Sequence, residues 1–385
     1  MKKKLMLVVA AMMTAIMILA CASAGASKEA EAAAPTEAPK EEIPVLNMDD
    51  LTCEVITTEA GEYVPVATTY TDIPAEFRTK CATPGTFIWE DYTTDLYYGG
   101  ETIRKHLQVY LPYCYDENDT DTKYNVLYYA HGNGSSCDKF AATDNRYPID
   151  HIFATAKFDP VIIVFVTYYT GKLDESGEKE GTDGRSAGIA ADFYLEVLED
   201  IIPLVETKYH TYLNGMEPTL ENIEATREHR GFSGYSRGGR CTYYMFRYAL
   251  PYFKWFAPMS ATCDGYAISS LPSAYQDSEY EAIRASYPLK ENGLGYAPYD
   301  EVLAYLKNAL DEFPGYSYYI YATSGMEDDR PLVYDQMTYF LNEGFFSYGS
   351  DPVVNNLYYS MSHYDHNDFH APASWFNTLR ILFHD

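Results

Sequence analysis

The chain is 385 residues long and carries a formal net charge of −28, with 56 acidic against 28 basic side chains. So acidic a surface repels phosphate backbones and argues against nucleic acid as a partner. The length is enough for one large domain with a full core, and no internal repeat suggests a solenoid. Lys2, Lys3 and Lys4 precede the apolar run from Leu5 to Ala20, broken only by Thr14. A positive segment followed by an apolar one shorter than a comfortable bilayer span of ~20 residues has the form of an export signal.

Ile18-Leu19-Ala20-Cys21 resembles the bacterial lipobox. That resemblance implies a lipoprotein signal peptide over 1–20 and lipidation of Cys21, hence export and anchoring to the outer face of the cytoplasmic membrane. The alternative is an ordinary cleaved signal. Residues 21–49 are rich in Ala, Glu and Pro, a composition that solvates rather than packs, and are expected to be a tether. Residues 50–385 are expected to form the single folded domain. Cys53, Cys81, Cys114, Cys137, Cys241 and Cys263 permit disulfides in an exported chain, with no readable pairing. No Cys/His spacing suggests zinc.

Past Gly100 the patterning becomes regular. "KHLQVYLP" (105–112) has the period of a strand, "YNVLYYAHG" (124–132) is an apolar run closing on a glycine turn, and "DPVIIVFVTYY" (159–169) reads as a strand buried on both faces. Tyr194, Val197, Leu198, Ile201, Ile202 and Val205 share one face of a helix, which Pro203 is expected to bend or interrupt. Next come a short strand at 229–234, a helix at 240–250 and a strand at 252–261. The stripe Val302, Leu303, Leu306, Leu310 and Phe313 predicts a helix, followed by a strand at 316–325, a helix at 331–342 and a strand at 353–362. Pro372 opens a last helix. This alternation predicts an α/β fold, a mostly parallel sheet with helices on both faces.

The chemistry-bearing residues fall at the ends of those strands. "GYSRG" (234–238) places Ser236 between glycines at a strand-to-helix junction, the form of a nucleophile elbow. A serine hydroxyl needs a base to take its proton and an acid to orient that base. An acid follows the 316–325 strand, in Glu327, Asp328 or Asp329. Histidines follow the 353–362 strand at 363, 366 and 370. Upstream, "AHGNG" (130–134) offers the backbone N–H of Asn133 as an oxyanion donor, beside that of Arg237. An aspartate before Pro331 is also an ordinary helix cap, and the histidine cluster matches no metal-ligand spacing.

With these residues in view, the chain resembles a known family. "TPGTF" (83–87), "VYLPYCYD" (109–116), "YNVLYYAHGNG" (124–134), "DFYLEVLEDIIPLVETKY" (192–209), "REHRGFSGYSRGG" (227–239) and "SGMEDD" (324–329) look like carbohydrate esterase family 1, the feruloyl and acetylxylan esterases. The resemblance implies an α/β-hydrolase fold, Ser236 as nucleophile, Asp328 as acid, and Asn133 and Arg237 at the oxyanion hole. It implies no cofactor and no metal. For the base, the family's spacing of histidine to tryptophan selects His370, five residues before Trp375. Phe369 and Pro372 depart from the family pattern, so His366 stays a second choice.

The implied partner is an acylated plant polysaccharide, with feruloyl groups on xylan first and acetyl groups second. Tyr235 and Tyr266 are expected to wall an aromatic slot. An acyltransferase on the same fold and an inactive sugar-binding surface lipoprotein are the rival readings.

Overall fold

The computed structural model describes residues 57–58, 61–62, 70–95, 102–141, 143–154, 158–169, 185–263, 299–328 and 332–384. The expected signal, the tether, Cys21, Cys53, Tyr266 and Asp329 lie outside the described residues. A two-residue pairing joins Thr57–Thr58 to Gly61–Glu62. The main sheet has eight strands: β1 Thr86–Thr94, β2 Ile103–Leu111, β3 Asn125–Ala130, β4 Val161–Val166, β5 Arg230–Tyr235, β6 Trp255–Met259, β7 Tyr319–Glu327 and β8 Leu357–Asp365. Their order in space is β1-β2-β4-β3-β5-β6-β7-β8. β2 runs antiparallel to both β1 and β4, and every other neighbouring pair is parallel.

Among the described residues, eight α-helices pack around it: α1 Thr143–Ala154, α2 Arg185–Glu196, α3 Ile202–Lys208, α4 Leu220–Ala225, α5 Arg237–Ala249, α6 Tyr299–Glu312, α7 Leu332–Asn342 and α8 Ala371–Thr378. One core joins the sheet to α2, α5, α6 and α7 through Phe193, Phe246, Leu306 and Met337. The other joins it to α1 and α8 through Ile149, Phe153, Trp375 and Phe376. β4 reads VIIVFV and is buried at every position, because helices cover it on both sides. The fold is that of the α/β-hydrolases. It brings the carboxyl ends of β3, β5, β7 and β8 to one edge of the sheet, where such folds build their sites.

Two strands differ from the sequence reading, whereas the helix around Pro203 is interrupted as expected. β1 was not anticipated: it is an edge strand in which Trp89, Asp91 and Thr93 face solvent while the polar Glu90 and Thr94 are among the buried positions, so its hydrophobic alternation is weak. Val353 and Val354 are exposed in a turn organised by Asp351, whose carboxylate accepts the Val353 N–H at 3.0 Å. The last strand therefore starts later than expected and runs on to Asp365. Around Pro203 the helix opens into a single π turn at Val197–Ile201 and restarts as α3 with the proline in its first turn. The widened turn accommodates a residue that has no N–H to donate.

The amino end of β5 is fixed by a buried ion pair. Arg230 donates twice to Glu206 of α3, both at 2.6 Å, and also to the carbonyls of Ile223 and Tyr252. Tyr128 of β3 adds a hydrogen bond to the same carboxylate at 2.8 Å. Removing one partner would leave a buried charge uncompensated. Arg230→Met is expected to lower unfolding free energy by roughly 3–5 kcal/mol, measured by urea denaturation.

Candidate active site

Ser236 follows β5 directly and caps α5 with φ 54° and ψ −111°. This backbone conformation is strained for a residue with a side chain. The glycines around it answer a packing demand. A Cβ at Gly238 would lie 1.9 Å from the carbonyl oxygen of Ala130, and one at Gly234 would lie 2.2 Å from that of Gly238. The first turn of α5 thus passes directly over the end of β3, and only glycine lets the two backbones meet. The turn is held by the Ser236 N–H, which donates to the Met259 carbonyl at 2.8 Å. The serine hydroxyl is thereby lifted above the edge of the sheet.

The base and acid arrive on neighbouring strands. β7 and β8 are parallel, and after a register shift between Ser362 and Asp365 the pair Glu327–Asp365 is aligned. Gly325 permits the close approach, since a Cβ there would lie 1.8 Å from the Tyr364 carbonyl oxygen. Asp328 and His366 are each the next residue along their strands, so they emerge side by side. His366 Nδ1 lies 2.8 Å from Asp328 Oδ1, and Nε2 lies 2.9 Å from Ser236 Oγ. With Asp328 ionised, Nδ1–H donates to the carboxylate, and Nε2 is left to accept the serine proton.

The selection of His370 as base is therefore corrected. His370 Nε2 lies 2.8 Å from Asp365 Oδ1, and its ring stacks on Tyr364 at 4.0 Å, in the 3-10 turn before α8. The histidine-to-tryptophan spacing misleads because β8 extends through "HYD", so the turn that delivers a base begins at 366. Trp375 instead fills the core beneath β5, packed on Tyr129 and Phe140. His363 lies outside the site, 3.6 Å from Asp72. The histidine cluster is thus three separate contacts, and among the described residues no group of three or more metal-ligating side chains converges.

The two residues expected at the oxyanion hole are Arg237, directly after Ser236, and Asn133, on the turn after β3. Arg237 is the first residue of α5, whose opening N–H groups have no partner within the helix. Asn133 borders a cavity of about 400 Å³ together with Gly132, Gly134, Ser236 and His366. Its turn is held by residues that the sequence reading passed over. His131 Nδ1 lies 2.8 Å from the Gly132 carbonyl oxygen, and Nε2 is the same distance from Thr167 Oγ1. Burial lowers the His131 pKa to about 4, so its ring is neutral at ordinary pH. Tyr169 donates to Asn133 Oδ1 at 3.1 Å and accepts the Gly134 N–H at 2.8 Å. Only the "HG" pair hinted at this support.

Tyr235 also borders the cavity, but its ring is buried, 5.3 Å from the His366 ring, and its hydroxyl donates to the Asp365 carbonyl at 3.4 Å. It lies beneath the histidine rather than standing as an open wall. Cys81, Cys114, Cys137, Cys241 and Cys263 are free thiols.

Fold and site together define an α/β-hydrolase with a serine–histidine–aspartate relay. No family model matches the chain, but known proteins resemble it. It is 29% identical over 298 residues to endo-1,4-beta-xylanase Y of Acetivibrio thermocellus, spanning 72% of this chain and 25% of that protein. Among solved structures, the feruloyl esterase module from Clostridium thermocellum complexed with sinapinate superposes with a TM-score of 0.61. The identity there is 24%, with coverage of 84% of this chain and 96% of the module. A CE1 ferulic acid esterase from the anaerobic fungus Anaeromyces mucronatus gives a TM-score of 0.54 at 18% identity, covering 82% and 98%. These two likenesses carry the fold.

The relay can be read with a fluorophosphonate, which reacts only with an activated serine. Ser236→Ala should abolish labelling, and His366→Ala should slow it by about 10²–10⁴, the usual contribution of a positioned base. His370→Ala should label near the wild-type rate. A fast His366→Ala variant would remove His366 from the relay.

Proposed function

We propose that this chain is a serine carboxylic-ester hydrolase that releases feruloyl or related hydroxycinnamoyl groups from plant xylan through an acyl-enzyme. The observation that carries the chemistry is the continuous hydrogen-bonded path from Asp328 through His366 to Ser236. Ser236 Oγ attacks the ester carbonyl while His366 Nε2 takes its proton. The negative charge that develops on the carbonyl oxygen is met by the N–H groups of Asn133 and Arg237. His366 then protonates the departing sugar oxygen, and water repeats the sequence on the acyl-serine. Asp328 holds the imidazole in the required tautomer and stabilises its charged form without taking the proton.

The substrate reading is supported by the likeness to a xylanase and by the fold shared with a sinapinate-binding module. A cavity of about 400 Å³ falls within the usual range of small-molecule sites. With Tyr235 buried, Phe369 is an exposed aromatic near the cavity among the described residues, and its ring lies under the Lys139 ammonium at 3.7 Å. The N-terminal motif supports a further proposal, that the chain is exported and held at the membrane through a lipid on Cys21. Labelled palmitate fed to an expressing bacterium should enter the wild type and not Cys21→Ala.

Kinetics on methyl ferulate and on a simple acetyl ester test the substrate. Ferulate is expected to be turned over at least as well in kcat/KM. An acetyl preference above about tenfold, ~1.4 kcal/mol in transition-state binding, would replace feruloyl by acetylxylan as the substrate. Asp328→Asn should cut kcat strongly on both esters, and a chain inactive on every ester would favour the sugar-binding alternative.

A further inference from the structure

Asp368 stands two residues past His366 and opens the 3-10 turn Asp368–His370, where the Asn367 side chain accepts the Phe369 N–H at 3.1 Å. The side chain is buried. Its Oδ1 binds the Lys139 ammonium, while Oδ2 is buried and has no hydrogen-bond partner among the described residues. That oxygen faces the oxyanion turn. A Cβ built on Gly132 would lie 3.7 Å from Asp368 Oδ2 and 3.7 Å from Ser236 Cβ. The carboxylate is thus no farther from the serine than the sum of those distances. Lys139 begins the short turn Lys139–Ala141 that follows the oxyanion loop, and it is the one lysine or arginine among the described residues bordering the cavity.

A carboxylate so placed opposes the negative charge that ester attack creates on the carbonyl oxygen. In a partly buried site, at this range, that opposition is enough to alter a rate tenfold or more. We propose that Lys139 is a positioning residue of this site: its ammonium neutralises Asp368, so that the carboxylate can tie the His366 segment to the oxyanion turn without destabilising the oxyanion. The proposal rests on the ester-hydrolase reading above. It makes the two partners unequal. Without Lys139 the anion is exposed to the reaction. Without the anion, the remaining cation is benign or helpful.

The pair also acts on the base. Among the described residues, the charged and titratable groups around His366 include Asp328 at the end of β7, Tyr235 beneath it, Lys139 and Asp368 on the same cavity, and the adjacent Asp365. Removing the ammonium makes this surrounding more negative and favours imidazolium. The acid limb of the kcat profile then moves to higher pH. Neutralising Asp368 moves it to lower pH.

The test uses hydrolysis of p-nitrophenyl acetate by the full chain, so that it is independent of which acyl group is natural. Lys139→Met is expected to lower kcat at least tenfold and to shift the acid limb upward. Asp368→Asn should be slowed far less and shift it downward, and the double variant should recover most of the lost rate. Equal losses in both single variants, with no recovery and an unmoved limb, would mark a plain tether and overturn the proposal. Circular dichroism and thermal melting establish folding, and Lys139→Gln takes the place of Lys139→Met if the latter does not fold. An active wild type whose Lys139 variants keep full rate overturns this inference alone. A wild type that neither hydrolyses the ester nor takes a fluorophosphonate overturns the hydrolase reading and this inference with it.

Discussion

The passage of the first turn of α5 over the carbonyl of Ala130 is the contact on which the site depends. It requires glycine at 238 and, one layer away, at 234. It also forces Ser236 into a backbone conformation that a free chain would avoid. That strain is sustained because β5 lies between β3 and β6, with its far end anchored through Arg230 to Glu206. A hydroxyl raised on such a turn gains reach toward a substrate at the cost of local conformational energy, which the rigid sheet supplies.

The same logic of close backbone approach recurs on the other side of the site. Gly325 allows the ends of β7 and β8 to come together, and the register shift in β8 aligns Glu327 with Asp365. The acid and the base are then adjacent by strand geometry, without a long loop to position them. The oxyanion turn is supported differently, by the side chains of His131, Thr167 and Tyr169. A neutral His131 suits this role, since in the proposed mechanism the N–H groups of Asn133 and Arg237 meet the developing charge without a further cation. Each catalytic group is thus held by a rigid element with a partner behind it, the arrangement that preorganised sites require.

Electrostatics set the remaining character of the site. The chain is strongly acidic, and the described residues bordering the cavity include Asp368 as well as Ser236 and His366. Negative charge close to the serine assists an imidazolium and hinders an oxyanion. Under the proposal above, Lys139, bound to Asp368 and lying over Phe369, relieves the opposition to the oxyanion at the expense of some support for the imidazolium. A neutral or aromatic residue in its place would pack but would not balance the carboxylate.

Much of this was legible in the residues themselves. The period-2 and apolar runs marked β2, β3, β4 and β7, the stripe at 302–313 marked α6, and "GYSRG" marked the turn, because each pattern follows from local geometry: which face is buried, or where no Cβ fits. Ser236, an acid after β7 and a histidine after β8 were likewise in view, since chain order alone places them at strand ends. The choice among histidines was not. It hangs on where β8 stops pairing with β7, and a register shift beside Gly325 is a relation between two strands distant in sequence. Edge strand β1, the buried support of His131 and the pairing of Lys139 with Asp368 across 229 positions were hidden for the same reason. Local pattern determines which elements form and which residues end them; only the packing of strand on strand decides which of those residues meet.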